Sequence, residues 1–365
     1  MSQLHQIALT LLPHIGPATA RAMLAYCGSA EAIFSTSKNR LLAIPGIGRK
    51  TAEALRKDAA LFARAEQELL FAEKERVSLL FLGDAAYPKR LRNCIDAPVL
   101  LYFKGSADLN APRIVSVVGT RACTDYGREL TDQFVRELAD KQVSVISGLA
   151  YGIDIAAHRA CVKYQVPTIG VLAHGLDRLY PQQHLPTARK MMENGGLISD
   201  FMSGTNPDRE NFPQRNRIIA GLADATVVVE AGEKGGALIT ADIAHTYNRE
   251  VFAFPGPVNS AASAGCHAII RRNKAALITS AADLCEAMSW TENIGEKGIQ
   301  MELRLDLAPA ERAIMNVLNQ PLPTAVDDLA LKTGLSLAEL ASSLLSLEMQ
   351  GLILSLPGKM YRRTR

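Results

Sequence analysis

A short apolar run that ends in a glycine-arginine turn, at residues 114–127, constrains the fold of this chain more than any other stretch. The run 114–118 is rich in β-branched residues, and Gly119 and Arg121 come soon after it. This order predicts a buried strand, a tight turn and a helix that begins near Tyr126. Backbone N–H groups at the turn and helix start, with the Arg121 guanidinium, would form an anion site. The alternative is that Gly119 only permits the turn and Arg121 faces water.

From residue 114 onward, strand and helix patterns alternate. The predicted strands are residues 114–118, 143–146, 168–172, 197–199, 225–230, 250–254 and 276–278, and the clearest helices between them are 128–141, 153–164, 185–194 and 238–247. Such alternation predicts crossover units and a mostly parallel α/β sheet. Ligands of such sheets bind beyond the carboxyl ends of the strands, so the segments directly after the strands are the candidate binding loops.

Five of the predicted strand ends carry glycine-rich or basic loops. The loops are SGLAYGID (147–154), AHGLDRLYP (173–181), FPQRNRIIAGL (212–222), EAGEKGGALITA (230–241) and FPGPVNSAASAG (254–265). We expect their backbone donors to combine with five cations in one electropositive floor: Arg121, Arg178, Arg215, Arg217 and Lys234. Repeated amide pockets and arginine forks are suited to a polyanion, and single-stranded nucleic acid fits best. Tyr180 and Phe212 are candidate stacking faces for bases, with core packing as the alternative.

Other ligand classes fit the sequence less well. The turn at Gly119 has its next glycine only at Gly127, and the second strand ends in Ser147-Gly148 where an NAD site needs an acidic residue. Ser147, Asp154 and His158 could be drawn as a triad, but a capping aspartate and a buried histidine are the simpler interpretation. The seven scattered histidines give no metal-ligand spacing, so we expect no metal site, no cofactor and no catalytic residue.

Composition limits the class of protein. The net charge of +3 over 365 residues is too small for a generally basic coat, so anion binding must come from a local patch. The six scattered cysteines include no C-x-x-C pair, which favours reduced thiols in the cytosol. The N-terminus does not have the pattern of a signal peptide, and no apolar run reaches membrane-spanning length. We therefore expect a soluble cytoplasmic protein.

The first 75 residues read as helical, with two similar glycine turns at residues 11–24 and 41–55. Both resemble the helix-hairpin-helix module, whose glycine turn offers backbone N–H groups to a phosphate. The second copy matches better, because Gly46 and Gly48 shape its turn and Arg49 and Lys50 begin its helix. Phosphate contact and simple helix packing both remain open for this region.

The C-terminal region, residues 307–365, comes after a polar linker and resembles a winged helix with three helices and a small hairpin. Its predicted recognition helix, residues 336–350, carries Glu339 and Glu348 and no lysine or arginine. Helices that enter a DNA groove usually carry positive or amide side chains, so a protein-contact role or a weak contact with DNA is favoured. The basic residues of this region cluster in the wing: Lys359, Arg362, Arg363 and Arg365.

Six motifs in fixed order resemble the DNA-processing family called DprA or Smf, over about residues 87–288. They are VVGTRACTDYG, SGLAYGIDIAAH, GLDRLYP, FPQRNRIIAGL, EAGEKGGALITA and FPGPVNS. The resemblance implies an extended Rossmann-like fold and a non-enzymatic protein that binds and protects single-stranded DNA. It also implies that the protein loads RecA recombinase during natural transformation and forms a homodimer, with single-strand-binding protein as a further candidate partner.

The resemblance also implies which residues bind DNA. The family's phosphate loop falls on Gly119, Thr120 and Arg121, its Arg-Asn-Arg element on 215–217, and its Ser-Gly loop on 147–148. The family's later S-G-S/T loop is here Lys234-Gly235-Gly236, which keeps a glycine, adds a charge and puts any hydroxyl role there in doubt. The complete predicted set is Gly119, Thr120, Arg121, Ser147, Gly148, Arg178, Tyr180, Phe212, Arg215, Asn216, Arg217, Lys234, Gly235, Gly236 and Thr240.

The expected organisation has four parts. Residues 1–75 form a helix-hairpin-helix-like domain, 78–290 the extended Rossmann-like domain, 291–306 a linker and 307–365 a winged helix. The leading hypothesis is a single-stranded DNA-binding recombination mediator. A nucleotide hydrolase related to phosphoribohydrolases is the runner-up, because the glycine-rich loop at 230–241 resembles a nucleotide phosphate loop. A scaffold that works only through its end modules is the third hypothesis.

Overall fold

The structure is a computed structural model that describes residues 3–13, 15–44, 46–54, 59–290, 307–318, 324–356 and 359–363. The chain divides into two compact units, Met1–Thr291 and Glu292–Arg365. The predicted linker at 291–306 and the side chain of Lys50 lie outside the described residues. No described helix combines the length and the apolar character that crossing a membrane requires.

The first unit opens with helices. Those that the structure describes are α1 (Gln3–Thr10), α2 (Pro17–Cys27), α3 (Ala30–Ser35), α4 (Lys38–Leu42), α5 (Arg49–Ala54) and α6 (Ala59–Lys74). Pro17 begins α2 and Gly28 ends it at φ 84°, which is the usual proline-to-glycine polarity of a helix. The Ser29 hydroxyl caps α3 by accepting the Ala32 N–H at 3.1 Å. The predicted helical, hairpin-like N-terminal region is confirmed.

A nine-stranded sheet comes next. Its described strands are β1 (Ser78–Phe81), β2 (Leu100–Gly105), β3 (Arg113–Val118), β4 (Val143–Ser147), β5 (Thr168–Val171), β6 (Gly196–Ser199), β7 (Ala225–Val228), β8 (Glu250–Ala253) and β9 (Ala276–Leu277). They are arranged in the order β1-β2-β6-β5-β4-β3-β7-β8-β9. The pairings among β3 to β9 are parallel. Strand β2 pairs antiparallel with both β1 and β6. The predicted mostly parallel sheet is confirmed.

Helices cover both faces of the sheet. They are α7 (Lys89–Arg92), α8 (Asp125–Leu138), α9 (Ile153–Tyr164), α10 (Leu185–Met191), α11 (Asn211–Leu222), α12 (Gly236–Thr246), α13 (Ala264–Arg271) and α14 (Ala281–Ala287). The two-residue period of β3 explains the two layers. Val115 and Val117 share a core with Phe134 of α8, whereas Ile114 and Val118 belong to the core that contains α11 and α12.

The strand order reverses beside β3. From β3 the chain builds outward through β4 and β5 to β6, and then returns to place β7 on the other side of β3. The crossover helices on either side of this point lie on opposite faces of the sheet, which leaves a crevice beyond the carboxyl ends of β3 and β7.

The second unit is a small helical domain with a three-stranded sheet. Its described elements are α15 (Pro309–Val317), β10 (Thr324–Ala325), α16 (Val326–Thr333), α17 (Leu337–Met349), β11 (Ile353–Leu356) and β12 (Met360–Arg363). Strand β12 pairs antiparallel with both β10 and β11. The predicted winged helix is confirmed. Glu339 accepts the Ser336 N–H in a capping box at the start of α17, so this carboxylate has a structural role.

Candidate nucleic-acid interface

A cavity of about 680 Å³ opens at the crevice where the strand order reverses. Its walls come from the turn after β3, the loop before α9, the segment that leads into α11, and the loop that begins α12. Most of the predicted DNA-binding set lines it: Gly119, Thr120, Arg121, Tyr180, Phe212, Arg215, Asn216, Lys234, Gly235, Gly236 and Thr240. Loops that are far apart in the chain therefore meet at the carboxyl ends of the parallel strands, as the carboxyl-end rule predicts.

An aromatic ring organises the cations of this cavity. The guanidinium carbon of Arg121 lies 4.9 Å from the centre of the Phe212 ring, and that of Arg215 lies 6.0 Å from it. The Tyr180 ring centre is 6.3 Å away from that of Phe212. A ring face attracts a guanidinium without neutralising its charge. Phe212 therefore positions Arg121 and leaves its positive charge available to a ligand.

Arg215 is a buried cation in the cavity wall, only 3% exposed. Its Nη1 donates to the Val171 carbonyl at 2.6 Å, while its Nε finds no hydrogen-bond partner within the described parts of the chain. Burial lowers the pKa of Arg215 to about 10, and the charge of Asp154 opposes that shift. The side chain remains protonated at neutral pH, with one donor that the protein itself leaves unsatisfied.

Asp154 is the carboxylate of the cavity wall. Burial raises its pKa, whereas the positive charge of Arg215 acts in the opposite direction. The described cavity lining therefore holds one carboxylate against four cations: Arg121, Arg209, Arg215 and Lys234. This excess of positive charge favours an anionic ligand.

The start of helix α12 faces the same cavity. Gly235 and Gly236 line it, and no side chain caps this helix end. The Asn216 Nδ2 and the Thr240 hydroxyl both donate to the Gly236 carbonyl, at 3.3 and 3.1 Å, and so hold the first turn in place. Uncapped amide groups at the positive end of a helix dipole bind anions, and the exposed Lys234 lies directly before them.

A carboxylate of the protein occupies the start of helix α8, which speaks against the predicted anion site at this helix end. The Thr120 N–H donates to the Glu230 carbonyl at 2.7 Å. The Thr124 N–H and hydroxyl both donate to the buried Glu230 carboxylate, at 3.0 and 2.5 Å. A carboxylate of the protein already holds this helix end, so an added anion would be repelled. Of the predicted site after β3, Gly119, Thr120 and Arg121 line the cavity, and the Arg121 guanidinium supplies the positive charge.

Neither Ser147 nor Gly148 lines the cavity, although Gly148 lines a smaller space beside it. The Ser147 hydroxyl is fully buried and donates to the Val117 carbonyl at 2.6 Å, so it is not exposed to the cavity, and the DNA-binding role of Ser147 stays a prediction. A Cβ atom at Gly148 would collide with Arg215 Nη1 and the Asp154 carboxylate. Gly148 thus makes room for these two groups. His158 is also buried, and its Nδ1 lies 2.7 Å from the Thr168 hydroxyl. His158 therefore forms no triad with Ser147.

Arg217 and Arg178 do not belong to the floor, contrary to the sequence prediction. Arg215 and Arg217 are two residues apart on α11, about 200° around the helix axis, so they face different sides. Arg217 pairs with Asp200 and donates to the Asp96 carbonyl. Arg178 lies outside the cavity lining and pairs with Asp177 at 3.0 Å.

Arg209 lines the cavity and was missed by the sequence prediction. It lies three residues before Phe212, outside the motif FPQRNRIIAGL (212–222) on which the prediction depends. The sequence signal for Arg209 is a basic residue three positions before an aromatic one, in a segment that comes after a strand.

Three known families match successive parts of the chain. Residues 78–289 match the family described as DNA recombination-mediator protein A. Residues 302–359 match the DprA winged helix domain, and residues 7–60 match a SAM-like helix-hairpin-helix tandem.

Curated relatives extend this similarity. The putative DNA processing protein DprA of Mycobacterium tuberculosis is 39% identical over 277 residues, which are 75% of this chain and 71% of the relative. Protein Smf of Escherichia coli K12 is 34% identical over 306 residues, 82% of this chain and 81% of the relative.

The fold also resembles solved structures. DprA from Streptococcus pneumoniae superposes with a TM-score of 0.65 at 30% identity, over 78% of this chain and 98% of that one. DNA processing protein A from Helicobacter pylori, described for its single-stranded DNA binding mode, gives a TM-score of 0.53 at 26% identity, over 59% of this chain and 97% of that one.

Proposed function

This chain belongs to the DNA recombination-mediator protein A family, and from that premise we propose that its cavity binds the backbone of single-stranded DNA. The observation that carries the proposal is the convergence of Arg121, Arg209, Arg215 and Lys234 on one cavity with an uncapped helix start. Phosphates are bound by guanidinium groups and by helix amides, and both are present here.

The aromatic rings favour an unpaired strand over a duplex. In a duplex the bases are stacked inside, so they cannot reach a ring in a cavity wall. An unpaired strand can place a base against Phe212 or Tyr180 while its phosphates meet the cations. The single-stranded DNA binding described for the Helicobacter pylori protein supports the same ligand for this chain.

The family supports a finer proposal about the steps after DNA binding. The chain protects incoming single-stranded DNA in the cytoplasm and loads RecA onto it during natural transformation. It acts as a homodimer and without catalysis, and single-strand-binding protein is a further partner. These steps rest on the family relationship, whereas the DNA site rests also on the geometry of the cavity.

A nucleotide hydrolase is the second candidate, and Asp154 favours it. A buried carboxyl group with a raised pKa in a cavity is the typical property of a general acid. Release of free base from a nucleoside monophosphate by the purified protein would promote this candidate. No release at high protein concentration would remove it.

Fluorescence anisotropy with labelled oligo-dT tests the proposal, with duplex DNA of equal length as competitor. We expect a preference for the single strand and a steep loss of affinity with added salt. For single strands the logarithmic slope is about −0.7 for each phosphate neutralised, so about three contacts predict a slope of about −2. A flat salt response would point to a buried small ligand instead, and a preference for the duplex would move the DNA site to the end domains.

A further inference from the structure

A second, smaller cleft adjoins the cavity. Arg121, Tyr180 and Phe212 line both spaces, so the two share a wall. The residues that line only the cleft include Tyr151 and His174. The volume of the cleft is about 20 Å³, enough for one water molecule and too small for a base. A flat ligand would therefore lie across its mouth.

Two exposed tyrosines line this cleft. Tyr151 is 41% and Tyr180 48% exposed, and both also line the cleft. Tyrosine rings bury much apolar area when they pack, so two rings left open to solvent beside a cavity offer free faces to a ligand. The Tyr151 ring packs edge-on against the buried His184, with ring centres 5.0 Å apart, which leaves it supported from one side.

The loop that carries Tyr151 is held in place. Gly152 has φ 78°, and a Cβ atom there would collide with the Thr120 carbonyl. That carbonyl also accepts the Ile153 N–H at 3.2 Å. His184 Nδ1 lies 2.8 Å from the Leu149 carbonyl. The loop is thus fixed to the turn that carries Arg121, and a pre-positioned ring loses little freedom on binding.

The chemistry of the cleft suits an uncharged flat group. His174 Nδ1 donates to the Gly175 carbonyl at 2.9 Å, and its Nε2 accepts the Tyr180 N–H at 3.2 Å. Both ring nitrogens are therefore satisfied in the neutral form, and burial lowers the pKa of this histidine. Arg121 is the charged group in the described lining of the cleft.

We propose that Tyr151 and Tyr180 form a stacking platform for one base of the bound strand, and that Arg121 binds the phosphate that joins this nucleotide to the next one in the cavity. This inference rests on the proposed function, since it assigns a base to one side of Arg121 and backbone phosphates to the other. Stacking on tyrosine accepts any base, so the platform adds affinity without sequence preference.

The test compares Tyr151→Ala, Tyr151→Phe and Tyr126→Ala in oligo-dT binding at fixed salt. Tyr126 is 44% exposed and lines neither space, so it is the matched control. We expect Tyr151→Ala to weaken oligo-dT binding about 5- to 150-fold, as for loss of one stacked base. Tyr151→Phe and Tyr126→Ala should bind like the wild type.

An oligonucleotide of the same length made of abasic nucleotides separates stacking from loop support. The wild type and Tyr151→Ala should bind this probe equally, because it offers no base. Equal weakening on both probes would overturn the platform, since Tyr151 would then only hold the loop. Unchanged oligo-dT binding by Tyr151→Ala would also overturn it, while weakened binding by Arg121→Ala would leave the proposed function intact. Failure of the wild type to bind oligo-dT would overturn both.

Discussion

Helix α11 carries one arginine on each of two sides, and the two differ in how far the protein itself satisfies their charge and hydrogen bonds. Arg215 lies in the wall of the cavity with an unsatisfied Nε, among cations that outnumber the single carboxylate of the described lining. Arg217, on the other side, is matched by the Asp200 carboxylate and the Asp96 carbonyl. Under the proposed function, the cavity side keeps positive charge for a ligand, whereas the other side pairs its charge within the fold. Identical residues in one short motif therefore have different roles.

The surroundings of Arg217 show what it stabilises. The Tyr247 hydroxyl bonds to the Asp96 carboxylate, and the buried Tyr87 hydroxyl donates to the Pro98 carbonyl at 2.6 Å. The segment 84–98 is also bound by Arg21 of α2, which donates to the Cys94 carbonyl at 2.9 Å. Arg217 is thus part of a network that joins this segment to α11 and α12.

The largest expected effect is the loss of stability in Arg217→Ala. Removal of one partner from a mostly buried pair leaves the Asp200 charge uncompensated, which costs about 3 kcal/mol in the free energy of unfolding. Denaturant unfolding measures this value, and Arg189→Ala, an exposed arginine of α10, is the control. An unchanged unfolding midpoint together with weaker DNA binding would place Arg217 in the DNA site and remove the contrast between the two sides.

The next expected effect, smaller per pH unit, concerns the pH dependence of stability at the buried His158. Burial, with the nearby His184 and Arg215, lowers the pKa of His158 from 6.5 to about 3. Between these values the unfolded chain binds a proton that the folded chain does not, so this histidine lowers stability as the pH falls from 6.5 towards 3. The limiting slope is about 1.4 kcal/mol per pH unit.

His158→Asn isolates that contribution, because its amide can take the place of Nδ1 beside Thr168 while it cannot titrate. The difference in the free energy of unfolding between the wild type and this variant should become smaller as the pH falls from 6.5 towards 3. Other groups, such as Asp154 with its raised pKa, cancel in the difference. A difference that is constant with pH would show that His158 titrates normally.

Much of the fold was predictable because its signals are local. The apolar period of residues 114–118 and the alternation of strands with helices depend on neighbouring residues, and both predicted the parallel sheet. The position of the cavity could be deduced from the carboxyl-end rule, which needs only the strand order. The strand predicted at 225–230 ends at Val228, and the Glu230 carboxylate beyond it serves the start of α8 instead.

The errors arose where pairing joins residues that are distant in sequence. Glu230 meets Thr124, and Arg217 meets Asp96, across more than a hundred residues in each case. No local pattern encodes such contacts, and they decided which amide groups and which arginines stay available. The separation of Arg215 from Arg217 was predictable in principle, since residues that are two positions apart on a helix lie about 200° apart around its axis.

The central claim is that the cavity side of α11 binds single-stranded DNA, and the affinity of Arg121→Ala for oligo-dT tests it most directly. At fixed salt we expect this variant to bind more weakly by about 2 kcal/mol, which is the size of a charge-assisted phosphate contact, with its stability unchanged. Arg217→Ala, measured where it is folded, should bind like the wild type. Full affinity in Arg121→Ala would contradict the account.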